Sequence, residues 1–239
     1  MSNAPSRTSP GTILVLPGSA YRRHAAHEGE PVAEWIRSLG WDARLVHYPV
    51  IETHPAPLRE APLAAVQAEI VSEREAGAER VGVLGFSAGG HLAGHAALAP
   101  DSTAQQRPDF AVLCYPVVSM VSPTHIVSQV NLLGESPSEE ERVATSLQRL
   151  VTPSAPPMFV WHTLGDAGVP VGDHSYRLAS ALAAHGVPHE LHVFTAGPHG
   201  IGLGGGYPAR DWTRLAADWL GRVAAGQEHL ATARSRKEA

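Results

Sequence analysis

Six short apolar runs punctuate the chain: Thr12–Leu16, Ala43–Tyr48, Arg80–Gly85, Phe110–Tyr115, Met158–His162 and Glu190–Phe194. Most are continuous rather than alternating, the pattern of strands buried on both faces of a parallel sheet. Segments of helical period separate most of them. Pro31–Leu39 sets Val32, Trp35, Ile36 and Leu39 on one face, starts with a proline near its first position and stops at Gly40. Leu58–Ala76 carries Leu63, Val66 and Ile70 and ends at Gly77. A small-residue stretch, Ala88–Leu98, follows the third run, and Asp173–His185 ends at Gly186. Pro208–Ala225 places Trp212, Leu215, Ala216, Trp219, Leu220 and Val223 on one stripe. Alternating strands and helices predict right-handed crossovers and a doubly wound α/β sheet.

The pattern breaks over residues 116–156, which are polar and proline-rich. One helix is predicted there, opened by the capping-box sequence Ser138-x-x-Glu141. This stretch stands where a lid would be inserted over the strand ends, and a plain surface excursion is the alternative. Periodicity is also lost at both ends. The reading is therefore a single domain over 12–226, with flexible tails at 1–11 and 227–239.

Composition narrows the function classes. At 239 residues, with 44% hydrophobic and 17% charged, the chain has enough material for one large core. A net charge of −5 with no basic run argues against nucleic acid and anionic membranes as partners. No stretch reaches the apolar length of a spanning helix, and the polar stretch Met1–Thr12 is no signal peptide, so the expected location is cytoplasmic. The single cysteine, Cys114, excludes an internal disulfide and sits in an apolar run, where it packs as a small hydrophobe. The 14 histidines are dispersed. His91 and His95 share a helix face without a third ligand nearby, so neither a metal site nor a cofactor is expected.

Candidate chemistry centres on Gly85-Phe86-Ser87-Ala88-Gly89, between the third strand and a helix. A G-x-S-x-G sequence in strand–turn–helix context is a nucleophile elbow, in which a sharp turn exposes the serine above the sheet. The pattern alone is common in a chain with 23 glycines, and Ser87 could merely cap the helix. Its context and its partners give it weight. A serine nucleophile needs a histidine to take its proton and a carboxylate to orient that histidine, in the chain order Ser, Asp/Glu, His. Asp166 follows the fifth strand and His199 follows the last, so all three residues fall on one edge of the sheet. Separately, Asp166 reads as a turn former, His199 as a loop histidine, and Asp173 as a competing acid or a helix cap. Three residues at the three expected strand ends are harder to explain without catalysis.

An oxyanion hole completes such a site. Its donors are expected to be the backbone N–H of Ala88 and those of Ser19 and Ala20, in the loop after the first strand. Ser19 and Ala20 stand where glycines are usual, so any positive φ there would cost energy. Tyr21, His24 and Glu28, which follow, are candidates for the mouth of the pocket.

The chain resembles the acetyl-xylan-esterase-like group of bacterial α/β-hydrolases. The matching stretches are Leu16-Pro17-Gly18-Ser19-Ala20-Tyr21, Gly85 through Leu92, Asn131-Leu132-Leu133-Gly134, His162-Thr163 with Asp166 and Val169-Pro170-Val171, and Gly197-Pro198-His199-Gly200. The resemblance implies an α/β-hydrolase fold and a Ser87–Asp166–His199 triad. It also implies release of short acyl groups, acetyl above all, from a carbohydrate or related alcohol. The sheet would be a reduced version lacking the first two strands of larger members. The expected partner is a small-molecule ester, such as an acetylated sugar or oligosaccharide; a homo-oligomer is left open.

Two other readings compete. A prolyl-oligopeptidase-like peptidase uses the same elbow, although such enzymes usually carry a gating domain. A non-catalytic small-molecule binder could keep the fold, although such a protein would be expected to have lost a triad residue. A dienelactone-hydrolase-like enzyme would normally carry cysteine at the position of Ser87.

Overall fold

The computed structural model describes residues 9–121 and 123–227. Six strands form one sheet: β1 (Thr12–Leu16), β2 (Asp42–Leu45), β3 (Val81–Phe86), β4 (Phe110–Cys114), β5 (Met158–Thr163) and β6 (His189–Phe194). Their order is β2-β1-β3-β4-β5-β6, and every pairing is parallel. The four inner strands are buried throughout, as their unbroken apolar runs demand. Edge strand β2 is shorter than its sequence suggests, because the chain turns away beyond Leu45 and sends Tyr48 back to the Pro17 carbonyl.

Eight α-helices surround the sheet among the described residues: α1 (Glu30–Ser38), α2 (Ala61–Glu75), α3 (Ala88–Leu98), α4 (Ile126–Leu133), α5 (Glu139–Ala144), α6 (Leu147–Leu150), α7 (Ser175–Ala184) and α8 (Trp212–Ala224). Alternate residues of each strand point to opposite faces. In β1, Ile13 and Val15 join an aromatic core with α1 and α8, while Leu14 and Leu16 join an aliphatic core with α2, α3, α6 and α7. In the aromatic core Trp161 and Trp212 stack with ring centroids 5.1 Å apart. None of the helices is long and apolar enough to cross a membrane.

Residues 116–156 hold three helices rather than the one expected. The Ser138–Glu141 capping box is present at α5. Helix α4 was hidden by the strand-like composition Ile-Val-Ser-Gln-Val, although Gly134, at φ 97°, marks its end. The segment packs into the fold, with Val117, Val118, Met120, Leu132, Leu133, Leu147 and Val151 in the aliphatic core. Of the expected tails, residues 1–8 and 228–239 lie outside the described residues. Ser9–Gly11 are tied down, since Ser9 Oγ accepts the N–H groups of Asp42 (3.0 Å) and Gly11 (3.3 Å).

This topology dictates where a ligand site can form. The chain leaves β1 toward β2 on one side and returns to β3 on the other, so the loops after β1 and β3 diverge. A crevice opens at such a switch point, at the carboxyl ends of the strands.

Candidate active site

At that switch point the turn from β3 into α3 places Ser87 at φ 53°, ψ −115°, outside the regions ordinary residues occupy. The turn survives because its glycines have no Cβ. A Cβ on Gly85 would lie 2.1 Å from the Gly89 carbonyl oxygen, and one on Gly89 would lie 2.1 Å from the Leu16 carbonyl oxygen. The requirement is steric, not conformational, since neither glycine has a positive φ. The Ser87 N–H donates to the Cys114 carbonyl at 3.0 Å, and the Ser87 carbonyl accepts from His91 and Val117.

Ser87, His199 and Asp166, 112 and 33 residues apart in sequence, meet in one hydrogen-bonded chain. Ser87 Oγ is 2.7 Å from His199 Nε2, and His199 Nδ1 is 2.6 Å from Asp166 Oδ2. In this arrangement Nδ1–H donates to the carboxylate, leaving Nε2 to accept the serine proton. Asp166 Oδ1 accepts the N–H groups of Gly168 (3.0 Å) and Val169 (2.8 Å). Buried His162 donates from Nε2 to Asp166 Oδ2 (3.1 Å) and to the Val169 carbonyl (2.7 Å), while its Nδ1 faces Ser175 Oγ (2.7 Å). Burial pushes the Asp166 carboxyl up. The hydrogen bonds from His162 and His199, the His199 charge and the Val169 N–H together outweigh burial and hold it well below the usual carboxylate range. The competing acid, Asp173, instead pairs with Arg177 at 2.9 Å.

Gly18 lies against the elbow, where a Cβ would approach Ser87 Cβ to 2.9 Å. Beyond it Ser19, Ala20 and Tyr21 all have left-handed backbones, with φ of 104°, 55° and 60°. Each costs of order 1 kcal/mol for a residue with a side chain. The surroundings hold the loop there by taking every carbonyl from Pro17 to Tyr21. Tyr48 Oη donates to Pro17, Ala25 N–H to Gly18 (3.2 Å), Arg22 N–H to Ser19 (2.8 Å), Asn131 Nδ2 to Ala20 (2.8 Å) and Ile51 N–H to Tyr21 (3.0 Å). In a trans peptide the N–H points opposite the preceding carbonyl. Holding the Gly18 and Ser19 carbonyls therefore aims the Ser19 and Ala20 amides. Among the described residues neither amide has a protein acceptor, and the Ala88 N–H is a first-turn helix amide without an intrahelical partner. Free amides beside a serine–histidine pair can stabilise a developing oxyanion.

The candidates for the pocket mouth need correction. Tyr21 and Glu28 are buried beneath the loop: Tyr21 Oη donates to His91 Nδ1 (2.7 Å), and Glu28 accepts the Gly18 N–H (2.7 Å) and the Tyr115 hydroxyl (2.5 Å). Their polar atoms are consumed inside the fold, so neither lines an opening. His24 is partly buried, with its ring edge-on to Tyr48 at 4.7 Å. Burial, then the neighbouring His47, lowers its pKa.

The sequence also left neighbours of the site unidentified. The His125 ring lies nearly parallel to His199, 6.5 Å between centroids, and the Tyr115 ring meets His199 edge-on at 5.1 Å. Burial, then the His199 charge, lowers the His125 pKa. Asn131 was visible only inside the Asn-Leu-Leu-Gly motif. Among the described residues no group of three or more His, Cys, Asp or Glu side chains is arranged to hold a metal ion. Both ring nitrogens of His91 are engaged, Nδ1 by Tyr21 and Nε2 donating to the Thr145 carbonyl at 2.7 Å.

The chain is similar to known proteins along most of its length. A profile of the prolyl oligopeptidase family matches residues 62–227. An acetylxylan esterase from Xylanibacter ruminicola is 29% identical over 94% of this chain and 48% of its own length. Endo-1,4-beta-xylanase B from Butyrivibrio fibrisolvens is 32% identical over 79% of this chain, but over 32% of its own length. The chain thus spans half or less of these two curated relatives. The crystal structure of an acetyl ester-xyloside bifunctional hydrolase from Caldicellulosiruptor lactoaceticus superposes with a TM-score of 0.82, at 36% identity, over 94% of this chain and 86% of that one.

Proposed function

This chain belongs to the prolyl oligopeptidase family of α/β-hydrolases, and on that premise we propose that it is a serine esterase releasing short acyl groups, acetyl above all, from carbohydrate or related alcohols. The observation that carries the reading is the hydrogen-bonded chain Ser87–His199–Asp166 beside the unpaired Ser19 and Ala20 amides. The relatives described as acetylxylan esterase and acetyl ester-xyloside hydrolase support the acyl and alcohol classes.

In this mechanism Ser87 Oγ attacks the ester carbonyl as its proton passes to His199 Nε2. Asp166 keeps the His199 proton on Nδ1 and stabilises the imidazolium that forms. The amides of Ala88, Ser19 and Ala20 receive the charge developing on the carbonyl oxygen. The tetrahedral intermediate collapses, the ester C–O bond breaks, and the alcohol leaves with the proton from His199. Water then gives a proton to His199 and attacks the acyl-Ser87, releasing the carboxylic acid and regenerating the serine. No step calls on a cofactor.

Hydrolysis of p-nitrophenyl acetate, butyrate and octanoate by the wild type and Ser87→Ala tests the reading. The expected result is turnover that falls from acetate to octanoate, with Ser87→Ala lower by about three to six orders of magnitude. Equal, negligible rates for both proteins would overturn it. The family profile favours one further reading, a peptidase. Release of p-nitroaniline from a prolyl anilide, without ester turnover, would put that reading first.

A further inference from the structure

We propose that Glu28 is a positioning residue that keeps the oxyanion loop and the His199 loop in register. The proposal rests on the serine-esterase reading above. Glu28 ends a 3-10 turn, Ala26–Glu28, between β1 and α1, and is only 2% exposed. A buried carboxylate is costly unless its lone pairs are used. Among the described residues no arginine or lysine pairs with it, and the nearest cationic candidate is the exposed His27, at 3.8 Å. What Glu28 holds instead is the site's own framework.

Its Oε2 accepts the Gly18 N–H at 2.7 Å, at the root of the loop that carries the Ser19 and Ala20 amides. Its Oε1 accepts the Tyr115 hydroxyl at 2.5 Å. Tyr115 Oη in turn accepts the Gly202 N–H at 2.9 Å, three residues beyond His199. The Tyr115 ring also lies edge-on to the His199 imidazole. Burial first, and the Glu28 charge second, push the Tyr115 hydroxyl well above its ordinary range, so it stays protonated and donates. Beside this link, His27 Nε2 donates to the Gly200 carbonyl at 2.9 Å. One short turn thus reaches both loops that must converge on the substrate carbonyl.

Neither loop is regular structure, and both carry left-handed residues, Ser19 to Tyr21 on one side and Gly200 and Gly202 on the other. Nothing within either loop fixes its distance to the other; the Gly18–Glu28–Tyr115–Gly202 chain does. Oxyanion donors act only within a few tenths of an ångström of the developing charge, and a displacement of about 1 Å costs about a hundredfold in rate. The role is therefore to align groups that act in the transition state rather than to bind substrate. This predicts a loss in kcat with KM little changed.

The experiment compares wild type, Glu28→Gln and Tyr115→Phe. Glu28→Gln keeps the shape but can accept only one of the two donors. It should lower kcat on p-nitrophenyl acetate about 10- to 100-fold, with KM within about threefold. Amide hydrogen exchange should accelerate in peptides covering both 17–22 and 199–204 while the rest of the chain is unchanged. Tyr115→Phe, which spares the Gly18 contact, should accelerate exchange at 199–204 alone and stands in if Glu28→Gln does not fold. A kcat within about threefold of wild type, or exchange that accelerates in only one loop of Glu28→Gln, would overturn the proposal. If the wild type lacks esterase activity, the functional reading fails, and the exchange data still decide whether Glu28 couples the loops.

Discussion

The serine elbow and the loop after β1 lie against each other and both hold strained backbone, but they sustain it by different means. In the elbow the strain is local. Ser87 takes an unfavourable φ, and the residues around it are glycines because a Cβ would meet backbone oxygen at 2.1 Å. In the loop three consecutive side-chain-bearing residues, Ser19, Ala20 and Tyr21, are left-handed, and all their carbonyls are held, that of Ser19 by nearby Arg22 and those of Ala20 and Tyr21 by the distant Asn131 and Ile51. Strain of this kind persists only where the surrounding structure over-determines it. The elbow is therefore recognisable in its own five residues, although Gly89 answers to the Leu16 carbonyl, whereas the loop depends on residues such as Tyr48 and Asn131, from elsewhere in the chain.

The comparison breaks most visibly if an alanine enters the elbow. Gly89→Ala would drive a methyl into the Leu16 and Pro17 carbonyls, both backbone and unable to yield. A loss of more than about 4 kcal/mol is expected, read by urea unfolding, with little folded protein recovered.

The loop's support is sensitive to pH through His91. Burial first, then the neighbouring His95, lowers the His91 pKa from 6.5 to about 3, so the folded state binds His91 Nδ1 to Tyr21 as the neutral ring. The unfolded state takes up a proton that the folded state refuses. Stability tied to His91 is thus fully present above its unfolded value and is lost as pH falls toward about 3. The slope is about 1 kcal/mol per pH unit, and unfolding curves from pH 7 to 4 should be less steep in pH for His91→Gln.

The smallest effect has the opposite sign. Ser19→Gly places glycine at φ 104°, where a side chain is disfavoured. It should raise stability by about 0.5 to 1 kcal/mol in thermal or urea unfolding, with esterase activity retained. A loss of stability there would mean that the loop's hydrogen bonds had already removed the strain.

The same contrast explains what could be read in the sequence. The six strands, the doubly wound α/β sheet and the elbow were legible because unbroken apolar runs, helical stripes and steric glycines are local signals. Asp166 and His199 were found by a topological rule: each follows a late strand at the carboxyl edge. The misplaced residues, Tyr21 and Glu28, follow a loop whose polar side chains turn inward to serve distant partners. Nothing within a few residues of Glu28 announces Tyr115 or Gly202. Helix α4 was hidden because its β-branched residues read as a strand, while what holds it is the core packing of Leu132 and Leu133 and the His125 cap.

Quenching the reaction with p-nitrophenyl acetate and mapping the modified peptide tests the central claim most directly. The account predicts an acetyl group on Ser87, formed during turnover and absent from Ser87→Ala. Acetate release that persists undiminished in Ser87→Ala, or an acetyl group that turns over on another residue, would contradict it.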